Sequence, residues 1–216
     1  MRASLFLTAT WALFSAQPPD RAAAQSPLPI PPDPAAVARA RADSARYPYT
    51  AADIEFFTGM IPHHAQAVLM ATMAPSHAAG PAVMRLAERI VNAQVDEIRL
   101  MQTWLLDRGQ RVPDPLSSRD DHPMHIGPLM PGMLTPEQLG TLDAARGRDF
   151  DRHFLSFMIQ HHQGAVQMVT ALFAAEGGRD LTVFKLASDI HVDQITEIRR
   201  MQQMLADLLL SRGTEP

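Results

Sequence analysis

The sequence predicts an all-α protein: a four-helix bundle assembled from two copies of one helical hairpin. Three observations lead there: long periodic stretches rich in Ala, Leu and Met, an internal repeat, and capping signatures at the ends of those stretches. A chain of 216 residues, 46% hydrophobic, can bury a substantial core.

Arg2, the uncharged apolar stretch Ala3 to Phe14, and the small residues Ala22-Ala23-Ala24 read as a signal peptide over residues 1–24, with Gln25 opening the mature chain. About 12 apolar residues are too few to cross a bilayer comfortably. The expected location is therefore periplasmic or secreted, without membrane attachment after cleavage. Residues 25–49 form a Pro-rich tether (Pro27, Pro29, Pro31, Pro32, Pro34) and a short helix over Ala35 to Arg46. The bundle occupies 50–216: hairpin one over 50–108, a linker over 109–134 rich in Pro, Met and His, and hairpin two over 135–216.

Four helical stretches fill the hairpins. The first opens at Thr50, where Thr50 and Asp53 fit a capping box, and runs to about Ala74 before Pro75. The second begins near Pro81, a favourable first-turn residue, and ends before Gly109. The third starts after Thr135-Pro136-Glu137-Gln138, another capping signature, with a bend or break at Gly147, and ends before Gly177-Gly178. The fourth opens at Asp180 and stops before Gly213.

The repeat is the strongest signal. Aligning Asp53–Met70 with Asp151–Met168 makes half of the positions identical, among them Asp53/Asp151, Phe56/Phe154, Met60/Met158, His63/His161, His64/His162 and Met70/Met168. Leu86–Leu105 aligns with Leu186–Leu205 equally well, through Gln94/Gln194, Glu97/Glu197 and Met101/Met201. A hairpin cannot bury its apolar stripe alone, so two copies packed antiparallel make the bundle.

Composition excludes several classes of function. With no cysteine there are no disulfides, thiolate metal sites or cysteine nucleophiles. A net charge of −4 without a basic run argues against nucleic-acid binding. The chain has no phosphate loop, nucleophile elbow, His-Glu-x-x-His or Glu-x-x-His, so no enzyme is expected.

What the repeat does carry is Met-Ile-x-His-His, twice. Asp53, Met60, His63 or His64, Ala67 and Met70 recur at spacings of three, four or seven and trace one helical stripe; so do Met158, His161 or His162, and Met168. Adjacent histidines point about 100° apart, so one enters the bundle while the other meets a neighbouring helix or the surface. Gln94, Glu97 and Met101, and Gln194, Glu197 and Met201, share stripes that can face them. The linker adds Met124, His125, Met130 and Met133. Imidazole with thioether suits copper, Cu(I) above all, with Zn(II) as a lesser candidate. Set against that, methionines at helical spacing commonly fill cores, and internal histidines commonly bond to residues such as Glu97 or Glu197. A ferritin-like metal oxidase acting on Cu(I) or Fe(II), and a helical scaffold or binding module without metal, stay open as alternatives.

Phe57-Thr-Gly-Met60-Ile-Pro-His63-His64-Ala-Gln-Ala, Gly132-Met133-Leu-Thr-Pro-Glu-Gln138 and Phe154-Leu-Ser-Phe-Met158-Ile-Gln-His161-His162-Gln-Gly-Ala resemble the bacterial family called domain of unknown function 305. The resemblance covers about Ala51 to Leu209. It implies a ferritin-like four-helix bundle. Some members are periplasmic copper-binding proteins linked to copper tolerance, which implies a copper role for Met60, His63, His64, Met158, His161, His162 and the linker methionines. A copper-handling protein partner would follow. The linker here is less Met-rich than in the copper-handling members.

Overall fold

A computed structural model describes residues 48–114 and 129–211, together with the helical positions 34, 35, 38, 39, 42 and 45. The expected signal peptide, most of the expected tether, and the linker residues His122, Met124 and His125 lie outside the described residues.

Among the described residues the chain is all-helical. Its main elements are α1 (Ala51–Thr72), α2 (Pro81–Asp107), α3 (Pro136–Ala144), α4 (Gly147–Ala174) and α5 (Leu181–Leu210), with a single 3-10 turn at Ala74–His77. α1 starts where its capping box dictates: the Thr50 side chain accepts from Asp53 N–H, and the Asp53 carboxylate accepts from Thr50 N–H. Pro81 occupies the first turn of α2, and Asp180 caps α5 by accepting from the Thr182 and Val183 amides. The third stretch does break. α3 keeps the Thr135–Gln138 capping box, and the chain turns at Ala145 and Arg146 before α4 begins at Gly147.

α1 packs against α2, α4 against α5, and α1 against α4. The core falls into two clusters. One joins Phe57, Met60 and Ile61 of α1 and Met101, Trp104 and Leu105 of α2 to Val169 and Leu172 of α4 and Val183 and Ile190 of α5. The other joins Met70, Leu86 and Ile90 to Phe150, Phe154, Met158 and Met201, with Leu134 and Leu142 from the linker and α3. Each cluster pairs the start of one central helix with the end of the other, so α1 and α4 run antiparallel. The histidines stand between the two clusters.

Two buried aspartates tie the hairpins together. Asp53 accepts from the Gly178 amide in the α4–α5 turn, and Asp151 accepts from the Gly80 amide in the α1–α2 turn with both oxygens, at 3.0 and 3.1 Å. Each repeat thus satisfies the turn of the other, a role for the repeated aspartate beyond the capping box and stripe position read from sequence. Burial pushes the Asp151 carboxyl above the usual range, against the opposing pull of the Gly80 bond and Arg148.

Candidate metal centre

His63, His64, His161 and His162 are all at most 1% exposed, at mid-height of the bundle. The adjacent pairs diverge as helix geometry requires. His64 Nε2 lies 2.9 Å from Glu97 Oε2, and His162 Nε2 lies 2.7 Å from Glu197 Oε2. These two turn toward the second helix of their own hairpin. His63 and His161 turn the other way, toward each other, with ring centroids 3.9 Å apart and planes inclined by 40°.

This layer is polar and incompletely satisfied. Without a hydrogen-bond partner are Nδ1 of His63, His64 and His162, both ring nitrogens of His161, both amide atoms of Gln94 and the amide oxygen of Gln194. A buried polar atom left bare costs about 1–3 kcal/mol. An apolar layer here would join the two cores into one. Desolvation, with a smaller push from His64, lowers the His63 pKa to about 3. Desolvation and then His63 hold His161 well below the ordinary range too. Both rings are therefore neutral at pH 7, the form that offers a lone pair to a metal.

A short strap, Met130 to Leu134, covers one side of the facing pair. The Pro131 carbonyl accepts from His63 Nε2 at 2.9 Å. Gln66 clamps Leu134 with both ends of its amide: it accepts from Leu134 N–H at 2.7 Å and donates to Leu134 O at 3.1 Å. From α4, Gln160 donates to the Gly132 carbonyl at 3.3 Å and accepts from Gln138. Gly132 has φ of +77°, and a Cβ on Gly164 would strike the Pro131 carbonyl, so both glycines are needed for the strap to lie this close.

The sequence-predicted residues are thus sorted. Met60 and Met101 lie fully buried in the first core cluster, and Met70, Met158 and Met201 in the second. Met60 and Met158 precede His63 and His161 by three residues and so share their face. Met168 is half-buried against the first cluster. Met130 and Met133 are partly buried in or beside the strap, the Met130 sulfur lying against Gly59. His77 is buried and donates to the Asp143 carbonyl. Sequence reasoning missed Gln66, Gln160, Gly164 and the Pro131 carbonyl. The signal for the first three was there, as positions where the two repeats differ; Pro131 lies in the linker, outside the repeat.

Comparison with known proteins identifies the lineage. The family model described as "Domain of unknown function (DUF305)" matches residues 53–205. The chain belongs to the DUF305 family. Solved DUF305 structures share its fold. A putative secreted DUF305 protein from Streptomyces coelicolor is 28% identical with a TM-score of 0.63, over 73% of this chain and 93% of that one. A DUF305 fragment from Deinococcus radiodurans is 31% identical with a TM-score of 0.63, over 74% and 99%. CopM in its Cu(II)-bound form is 34% identical with a TM-score of 0.58, over 72% and 96%. CopM has also been solved in Cu(I)-bound and silver-bound forms. A comparison with curated proteins gives no match.

Proposed function

We propose that this DUF305 protein is an exported copper-binding protein that holds Cu(I) at the His63–His161 pair, for buffering, transfer or tolerance rather than catalysis. The observation carrying this reading is the pair itself: two neutral, buried imidazoles with centroids 3.9 Å apart and planes inclined by 40°, three of their four nitrogens unpartnered. A buried methionine stands one helical turn from each. Nitrogen with thioether sulfur is a soft donor set, and Cu(I) accepts few ligands. Zinc wants four donors, and without thiolates these would be nitrogen and oxygen. Among the described residues no group of three or more His, Asp or Glu is arranged to hold a metal ion, so thioethers would have to complete the set. Glu97 and Glu197 are each engaged by a histidine, an arrangement that supports a carrier over a carboxylate-bridged oxidase. The copper- and silver-bound forms of CopM support the same class of cargo.

Export rests on the N-terminal pattern and on the secreted relative; no described helix is long and apolar enough to cross a membrane. N-terminal sequencing of exported protein should begin at Gln25. Native mass spectrometry of the mature chain, titrated with Cu(I), Cu(II) and Zn(II), tests the binding. Cu(I) should be retained in the presence of equimolar Zn(II). Failure to retain either copper ion overturns the reading.

A further inference from the structure

The two repeats align residue for residue, so the places where they differ mark what only one half does. Gly59 stands opposite Phe157 in the alignment, Pro62 opposite Gln160, and Gln66 opposite Gly164. Each of these differences supplies a contact to the strap. Gly59 makes room for the Met130 sulfur, Gln160 bonds Gly132, Gln66 clamps Leu134, and Gly164 lets Pro131 approach α4. The strap is therefore built into one side of a nearly symmetric layer, and it makes His63 and His161 unequal.

The inequality is chemical. A carbonyl oxygen only accepts, so the Pro131 bond requires the His63 proton on Nε2. The other nitrogen of this ring, Nδ1, is buried and has no hydrogen-bond partner. Across from it, neither nitrogen of His161 makes a well-formed hydrogen bond, and only the nearby His63 carbonyl acts on its ring. Such outer contacts commonly set which imidazole nitrogen a metal meets.

We propose that Gln66 is a positioning residue. By clamping the main chain of Leu134 it seats the Pro131 carbonyl, which holds His63 as the Nε2–H tautomer and presents Nδ1 alone to a soft cation, while His161 adapts to complete the pair. The cation rests on the reading given above; the tautomer does not.

The test uses the full mature chain labelled with 15N-histidine, observed by long-range proton–nitrogen correlation, first without metal and then with Ag(I) as a redox-inert probe. In the wild type His63 should carry its proton on Nε2. In Gln66→Ala the Leu134 amide should exchange faster, His63 should become a tautomer mixture, and Ag(I) affinity should fall about five- to tenfold, the effect of one net hydrogen bond. Gln66→Glu keeps the acceptor for the Leu134 amide and loses the donor, so it should fall between. A wild-type His63 protonated on Nδ1 overturns the proposal. So does a Gln66→Ala protein whose strap loosens while its His63 tautomer and Ag(I) affinity stay those of the wild type. If the wild type takes up no Ag(I), the cation reading fails, and the tautomer comparison still decides the role of Gln66.

Discussion

His63 and His161 pack with 3.9 Å between ring centroids, yet of the two only His63 makes a well-formed hydrogen bond among the described residues. Three unpartnered imidazole nitrogens at the centre of a bundle oppose folding, because each is desolvated without compensation. Their place between two well-packed apolar clusters fits a layer kept for binding at a cost in stability.

That cost is measurable. His161→Leu replaces two unpartnered nitrogens with apolar atoms of similar bulk. The metal-free variant should be more stable than the wild type by about 1 kcal/mol or more, seen as a higher denaturation midpoint with an unchanged m-value. A clear loss of stability would mean that His161 is hydrogen-bonded in solution.

The same burial makes the metal-free protein sensitive to acid. His63 has a pKa of about 3 when folded against an ordinary 6.5, and His161 is shifted in the same direction. Between those values the unfolded chain binds the proton and the folded one does not. Stability is thus full above about pH 6.5 and falls as pH drops toward 3, by up to about 1.4 kcal/mol per pH unit for each histidine. Urea melts at pH 7 and pH 5 should show the loss, and His161→Leu should reduce its slope by about half. A slope unchanged in that variant would place the acid sensitivity elsewhere.

Asp53 and Asp151 should differ in what they contribute. Asp53→Ala removes both the α1 capping box and the bond to Gly178, at a cost of about 2–3 kcal/mol. Asp151→Ala leaves the Gly80 amide bare at about 1–2 kcal/mol. Asp151→Asn keeps an acceptor without a buried charge and should cost little. Thermal or chemical melts of the three variants give the ranking; a large loss in Asp151→Asn would show that the charge itself is needed.

Most of this fold was legible because its rules are local. Thr50, Pro81, Thr135 and Asp180 mark helix starts by hydrogen bonds within one turn, and the break near Gly147 follows from a backbone with φ of +55°. The divergence of His63 from His64 followed from helical pitch, and the His–Glu pairs from stripes on adjacent helices. What sequence could not supply was long-range pairing. Nothing local shows that Asp53 would cap Gly178, 125 residues away, or that Gln66 would clamp Leu134, 68 residues on. The repeat itself suggested two equivalent halves, and the strap makes them unequal.

The methionines separate core packing from ligation. Met60→Leu with Met158→Leu nearly conserves volume in two fully buried positions, so stability should fall by under about 1.5 kcal/mol. Cu(I) affinity should fall while any Zn(II) binding to the histidines persists. If only the melting temperature moves, these residues are core and nothing more.

The most direct measurement is a competition titration against a Cu(I) chelator, comparing wild type with the His63→Leu/His161→Leu protein. The wild type should withdraw Cu(I) from the chelator. The double variant should fail to do so while folding at least as stably, because the substitution removes the bare nitrogens along with the ligands. Equal Cu(I) affinity in the two proteins would contradict the facing histidine pair as the metal centre.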